Sequence, residues 1–281
     1  MKKSLVLIML VAALVVVSVF GFAACGKKAY TIGVQSGTTG EYYVKGDADW
    51  DFEGFSNVAC STYSNGGLAV QAMKNGSVNS VIIDEAPAKA LAQRIEGIKV
   101  IDIALTEEEY AYGVDKAQDD LLASINNILS SSEFATKKAE IMNAYFGDGT
   151  PTPVTAAITA DASKAATQLV VATNAEFAPF EYKDGDKFAG VDMEIAAYIA
   201  NKLGLELVIL DMEFDSVVTS VGKNNVDIAM AGLTVNEVRK QSVNFTNSYY
   251  NASQMLVVLS SDTSFDDCKT AADIEAKIKA L

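Results

Sequence analysis

Three consecutive stretches decide the fold class: Gln168-Leu-Val-Val-Ala-Thr173, then Gly190-Val-Asp-Met-Glu-Ile-Ala-Ala-Tyr-Ile-Ala-Asn-Lys-Leu-Gly204, then Leu205-Glu-Leu-Val-Ile-Leu210. The first and third are short apolar runs rich in β-branched residues and read as buried strands. Between them Val191, Ile195, Ile199 and Leu203 recur every four residues, which predicts a helix over 192–203 with Gly204 as its C-terminal cap. Strand, helix and strand in that order predict an α/β architecture.

The alternation continues in both directions. Downstream, 216–222 reads as a short helix, 226–231 and 254–259 as strands, and 271–280 as a helix. Upstream, 30–36 reads as a strand entering the glycine-bearing turn Gly37-Thr-Thr-Gly40. Residues 67–74 read as a helix, and 78–83 as a strand closed by Asp84, with a helix opening near Pro87. Residues 99–103 and 110–114 read as strands, 117–129 and 133–145 as helices. Residues 147–167 change character, with Pro151 and Pro153 followed by Ala, Thr and Ser, and read as a linker with a frayed helix near 160–168. Two α/β blocks flank it.

Composition narrows the chemistry. The chain has 281 residues, 36 acidic against 22 basic side chains, a formal charge of −14, no histidine and three cysteines. Without histidine there is no Ser-His-Asp or Cys-His pair and no histidine-ligated zinc, and the scattered cysteines make no four-thiolate metal site. The negative charge lacks the cationic field that nucleic-acid binding needs. No cofactor-binding motif stands out, because Gly37 to Gly40 lacks the Gly-Lys-Ser/Thr of a phosphate-binding loop.

At the N-terminus Lys2 and Lys3 precede an uncharged run from Leu5 to Ala24 that meets Cys25. This order reads as an export signal over 1–24, and an uncleaved anchor is its alternative. Phe22-Ala-Ala-Cys25 resembles the lipobox of bacterial lipoproteins, with Phe22 where a leucine-like residue is usual. The resemblance implies lipidation at Cys25, a tether over 25–29 and a place on the extracellular face of the cytoplasmic membrane. Cys60 and Cys268 would then permit one disulfide, with free thiols as the default.

In open α/β sheets ligands sit outside the carboxyl ends of the strands. Asn174 follows the strand 168–173; Gly232 and Thr234 follow 226–231, with Arg239 just beyond; Gln35 and Thr39 close the first strand; Ile83 and Asp84 close 78–83. One cation, one anion and several hydroxyl or backbone donors suit a small zwitterion: arginine forks a carboxylate and aspartate accepts from an ammonium. Phe177 and Phe214 are candidate apolar or cation–π walls. Each residue has a plainer reading, with Arg239 as a surface charge, Asp84 as a helix cap and Phe177 as core.

Taken together, Leu169-Val-Val-Ala-Thr-Asn-Ala-Glu-Phe-Ala-Pro-Phe-Glu-Tyr182, Gly190-Val-Asp-Met-Glu194, Val226-Asp-Ile-Ala-Met-Ala-Gly-Leu-Thr234, Glu237-Val-Arg239 and Asn244-Phe-Thr-Asn-Ser-Tyr-Tyr250 resemble the first lobe of the amino-acid-binding proteins of ABC transporters. Ile32-Gly-Val-Gln-Ser-Gly-Thr-Thr-Gly-Glu41, Met73-Lys-Asn-Gly76, Val81-Ile-Ile-Asp84 and Tyr145-Phe-Gly147 resemble the rest of that family. The order is inverted, because the family places the segment resembling 168–281 first. The chain therefore looks like a circular permutant, with 147–167 joining the old ends.

The resemblance implies a two-lobed periplasmic-binding-protein-like (type II) fold with a hinge at about 108–114 and 251–258. One lobe would be continuous, 113–253, and the other would combine 30–109 with 257–281. Carried over, Arg239, Thr234 and the Thr39 backbone would bind the ligand α-carboxylate. Asp84 and the Gly232 carbonyl would take the α-ammonium; Phe177 and Phe214 would flank the side chain, with Asn174, Gln35 and Ile83 tuning its identity. The implied protein is no enzyme: it captures a free amino acid and hands it to the permease subunits of an ABC importer. A secreted dehydratase-like enzyme, with Asp84 or Glu176 as acid or base, and a ligand-sensing module are the alternatives.

Overall fold

The computed structural model describes residues 29–223 and 225–281. The 1–24 signal, the greater part of the 25–29 tether and Cys25 lie outside the described residues. The strands are β1 (Thr31–Gln35), β2 (Ala59–Tyr63), β3 (Ser80–Asp84), β4 (Ile98–Ile101), β5 (Glu108–Tyr110), β6 (Gly113–Asp115), β7 (Gln168–Thr173), β8 (Glu176–Phe177), β9 (Glu181–Asp184), β10 (Lys187–Ala189), β11 (Glu206–Asp211), β12 (Ile228–Ala229), β13 (Val243–Phe245), β14 (Tyr250–Ala252) and β15 (Gln254–Leu259). The helices are α1 (Thr39–Lys45), α2 (Gly66–Lys74), α3 (Glu85–Arg94), α4 (Asp119–Leu129), α5 (Ser132–Phe146), α6 (Val191–Leu203), α7 (Phe214–Ser220), α8 (Glu237–Lys240) and α9 (Ala271–Lys279).

Two five-stranded sheets organise the molecule, in the orders β2-β1-β3-β15-β4 and β11-β7-β12-β6-β13. Each has three parallel strands, then one antiparallel strand that comes from the other half of the chain. Strand β15 runs antiparallel to both β3 and β4, and β6 does the same between β12 and β13. The chain changes lobe just before each borrowed strand. The two crossings, β5 and β14, pair with one another, with Tyr110 opposite Tyr250 and Glu108 opposite Ala252. Helix α9 closes the first lobe, burying Ile274 and Ile278 against Ile32, Val34 and Phe55.

Helix α6 forms where the four-residue periodicity predicts it, and Gly204 caps it in the left-handed conformation at φ 70°. Ile195 and Ile199 are fully buried in the second lobe, each contributing about 1.5–3 kcal/mol by leaving water. A continuous apolar cluster runs from Val70 and Val81 through Tyr110 and Tyr112 to Ile195, so the crossing strands are part of the core.

Several boundaries differ from the sequence reading. The 226–231 run is a strand only at Ile228–Ala229, because the Asp227 side chain binds the Val170 N–H and the Gln118 amide. The 110–114 segment divides into β5 and β6. The helix expected near 160–168 is one 3-10 turn, Ala162–Lys164, none of it buried. The Gly37 to Gly40 turn runs straight into α1, which begins at Thr39. Cys60 and Cys268 are both free. No helix among the described residues is long and apolar enough to cross a membrane.

Candidate functional site

The carboxyl ends of β1 and β3 in one lobe face the ends of β7 and β12 in the other, and the polar residues at those ends meet between the sheets. Gln35 donates from Nε2 to Asn174 Oδ1 at 3.1 Å across the lobes, and Asn174 donates in turn to the Met212 carbonyl. Asn65 on the first lobe donates to Glu176 on the second at 2.6 Å. The lobes are closed on one another.

Arg239, on α8, is only 7% exposed, so it is not a surface charge. Asn236 caps this one-turn helix by accepting from the Arg239 N–H, which fixes the base of the side chain. The guanidinium lies between Trp50 and Phe214, 5.1 and 5.4 Å from their ring centres. It donates to the Thr234 carbonyl at 2.9 Å and, across the cleft, to the Gly37 carbonyl at 3.1 Å. Every salt bridge among the described residues is made by a lysine. The buried arginine therefore carries no ion pair. Burial lowers its pKa, and the charges of Glu108 and Asp84 oppose that shift.

Asp84 ends β3 and precedes α3, yet its side chain makes no capping bond. It accepts a hydrogen bond from the Tyr110 hydroxyl on the crossing strand. Burial, reinforced by the Glu108 charge, pushes its carboxyl up to about 7. Behind the cleft Asp192 accepts from the Gly232 N–H at 2.9 Å, holding that turn at φ +54°. Burial raises Asp192 to about 6, and Glu181 stands well above the carboxylate range through burial and the Asp192 charge.

A raised carboxyl pKa means that the folded state holds a proton which the unfolded chain, with aspartate near about 3.9, has released. Stability of the ligand-free protein should therefore fall as pH rises from about 4 through about 7, the window set by Asp84 and Asp192. Thermal unfolding should give a higher midpoint at about pH 5 than at about pH 8, with a shallower slope for Asp84→Asn. A flat wild-type profile would contradict the burial of these carboxyls.

Phe177 and Ile83 line a chamber of about 320 Å³ between the lobes. Phe214 lies instead on the Arg239 side, in a smaller cavity with Trp50 and Tyr42. Thr39 and Thr234 come together across the cleft, their hydroxyl oxygens 3.3 Å apart. Both hydroxyls donate to one oxygen of Glu108, a buried carboxylate on β5. The sequence reading named neither Glu108 nor Trp50 nor Gln254. Their place at the lobe crossing or beside the cleft depends on the fold, and only the hinge position of Glu108 hinted at it.

Residues 169–280 match the model of a known family, described as bacterial extracellular solute-binding proteins, family 3. The matched segment contains Asn174, Phe177, Phe214, Gly232, Thr234 and Arg239, the second-lobe half of the cleft. The arginine-binding extracellular protein ArtP of Bacillus subtilis is 40% identical over 90 residues, 32% of this chain and 35% of that protein. A probable histidine-binding protein of Campylobacter jejuni is 29% identical over 109 residues, 39% of this chain and 41% of that one. The chain thus matches about two fifths or less of the length of these relatives, both of them named as binding proteins. Among solved structures, the arginine-bound form of truncated ArgBP from T. maritima is 38% identical over 31% of this chain and 42% of that one, with a TM-score of 0.30.

Proposed function

We propose that the protein is an extracellular receptor that closes its two lobes on a free L-amino acid and presents it to the permease of an ABC importer. The observation that carries this reading is the buried, unpaired Arg239 guanidinium in the same closed cleft as the buried Asp84 carboxylate. Arg239 calls for an anion. Asp84, which burial holds near neutrality, gains most from a cation that shares its desolvated site. An amino acid supplies both charges on adjacent groups. Thr234 and Thr39 stand beside the arginine end, Gly232 stands by Phe177, and the chamber lined by Phe177 and Ile83 offers room for a side chain. Gln35 and Asn174, bonded across the cleft, are placed to read its polar atoms. Anchoring through lipid on Cys25 belongs to the same reading, with the lipobox-like Phe22-Ala-Ala-Cys25 as its support.

The reading includes a rotated chain order. The family match ends at 280, and both described ends of the chain lie against one short segment. The Ala59 N–H donates to the Tyr30 carbonyl, and the Asn57 amide donates to the Ile278 carbonyl. A chain running directly from 281 to 30 would need little linker, as circular permutation requires.

A thermal-shift panel of the common L-amino acids, led by arginine and histidine because of the relatives' names, tests both parts. A ligand at about 100 times its Kd adds about 2.7 kcal/mol of stability. One or a few amino acids should raise the midpoint by several degrees. A relinked chain, 168–281 joined to 30–146, should give the same profile. No shift with any amino acid would sink the receptor reading; a relinked chain that does not fold would sink the rotated order.

A further inference from the structure

Glu108 is 9% exposed, and four neutral side chains from four separate segments hold it. Thr39 and Thr234, from opposite lobes, donate to Oε2. The Thr106 hydroxyl and the Gln254 amide, the latter at 3.1 Å, donate to Oε1. Four donors match the number of lone-pair sites a carboxylate presents, and no lysine or arginine forms an ion pair with it among the described residues. The cradle is built for an anion, and it exists only when the lobes are closed, because Thr39 and Thr234 belong to different lobes.

Thr234 and the Thr39 backbone, with Arg239 beside them, are also the groups assigned above to the carboxylate of a bound amino acid. A hydroxyl has one proton to give, so Thr234 cannot donate to Glu108 and to a ligand carboxylate together, while the Thr39 hydroxyl holds the glutamate oxygen at the same place. Two carboxylates in one desolvated cradle would repel as well.

We propose that Glu108 is an internal ligand of the carboxylate subsite, which occupies the threonine cradle and ties the lobes together in the ligand-free protein until an amino-acid carboxylate takes its place. This rests on the cleft being an amino-acid site. The exchange leaves the crossing intact: β5 is held to β14 through the backbone pairing of Glu108 with Ala252, so the side chain can leave by rotating about its own bonds. Glu108 is then a built-in competitor. Any amino acid binds more weakly than its contacts alone would allow, by the factor needed to displace the glutamate.

The test uses Glu108→Gln and Glu108→Ala, titrated calorimetrically with L-arginine and with whichever amino acids shift the wild-type midpoint. Small-angle scattering of the ligand-free proteins accompanies the titrations. Both variants should bind at least fivefold more tightly than wild type, and both should show a larger ligand-free radius of gyration as the lobes part. Unchanged or weaker binding in cooperatively melting variants overturns the competition, and an unchanged radius overturns the tie. If Glu108→Ala does not fold, Glu108→Asp, one methylene short of the cradle, should show the same two changes. A wild type that binds no amino acid defeats the receptor reading instead; the scattering comparison then decides alone whether Glu108 holds the lobes together.

Discussion

Arg239→Ala should weaken amino-acid binding by far more than tenfold. The guanidinium is desolvated between Trp50 and Phe214 and has no ion pair of its own, so an incoming carboxylate meets a buried charge that no ion pair neutralises. Removing one partner of such a buried, hydrogen-bonded pair costs about 2–5 kcal/mol, which corresponds to a loss of roughly 30-fold to several thousandfold in Kd. The side chain also links the lobes by donating to the Gly37 carbonyl, so the variant should close less readily around any ligand it still holds. Arg239→Lys retains the charge but not the planar fork that reaches Thr234 and Gly37, and should recover only part of the loss. Calorimetry with the amino acid that shifts the wild-type midpoint reads both variants, and near-wild-type affinity for Arg239→Ala would remove Arg239 from the site.

Gly190→Ala should be among the most damaging single methyl additions to the fold. Gly190 precedes α6 at φ +123°, a region that L side chains rarely enter. A Cβ there would stand 2.0 Å from the Phe180 carbonyl oxygen and 2.4 Å from its carbon. Those atoms are backbone, fixed because the same carbonyl accepts from the Asp192 N–H. The expected loss is about 3 kcal/mol or more. Gly204→Ala is the control: its φ is also positive, at +70°, but nothing lies within 4 Å of the new methyl. It should cost only about 1 kcal/mol. Urea denaturation separates the two. Equal costs would mean that the 180–190 turn yields, and that strain alone accounts for both glycines. The damage should reach the cleft, because α6 carries Asp192, which holds the Gly232 N–H.

How legible the molecule was depended on how local each signal is. Helix α6 could be read because its four-residue stripe lies within one segment. Arg239 and Asp84 could be read because both follow strands whose ends face a cleft. Strand β2 was missed: Ala59-Cys-Ser-Thr-Tyr63 is a sheet edge with no fully buried residue, so no alternation marks it. Helix α1 was missed because Gly37 to Gly40 reads as a turn, although Tyr43 and Val44 are buried. The helix expected near 160–168 had composition but no apolar stripe, and propensity alone rarely holds a short helix. Glu108 was the hardest to see, since its donors come from residues 39, 106, 234 and 254 and converge only after both lobes are built.

The strand that completes the first sheet also sets the order in which the molecule can be finished. Strands β1 to β4 are made early, yet β3 and β4 are not neighbours: β15, near the end of the chain, lies between them. Until residues 254–259 are delivered, the first half exposes two unpaired strand edges, and helix α9 is not yet there to cover Ile32 and Val34. Such long-range pairings are slow to form and leave sticky edges in the meantime. The lobe begun first is therefore the last to close, and the emerging chain must be kept from pairing with its neighbours until strand β15 arrives.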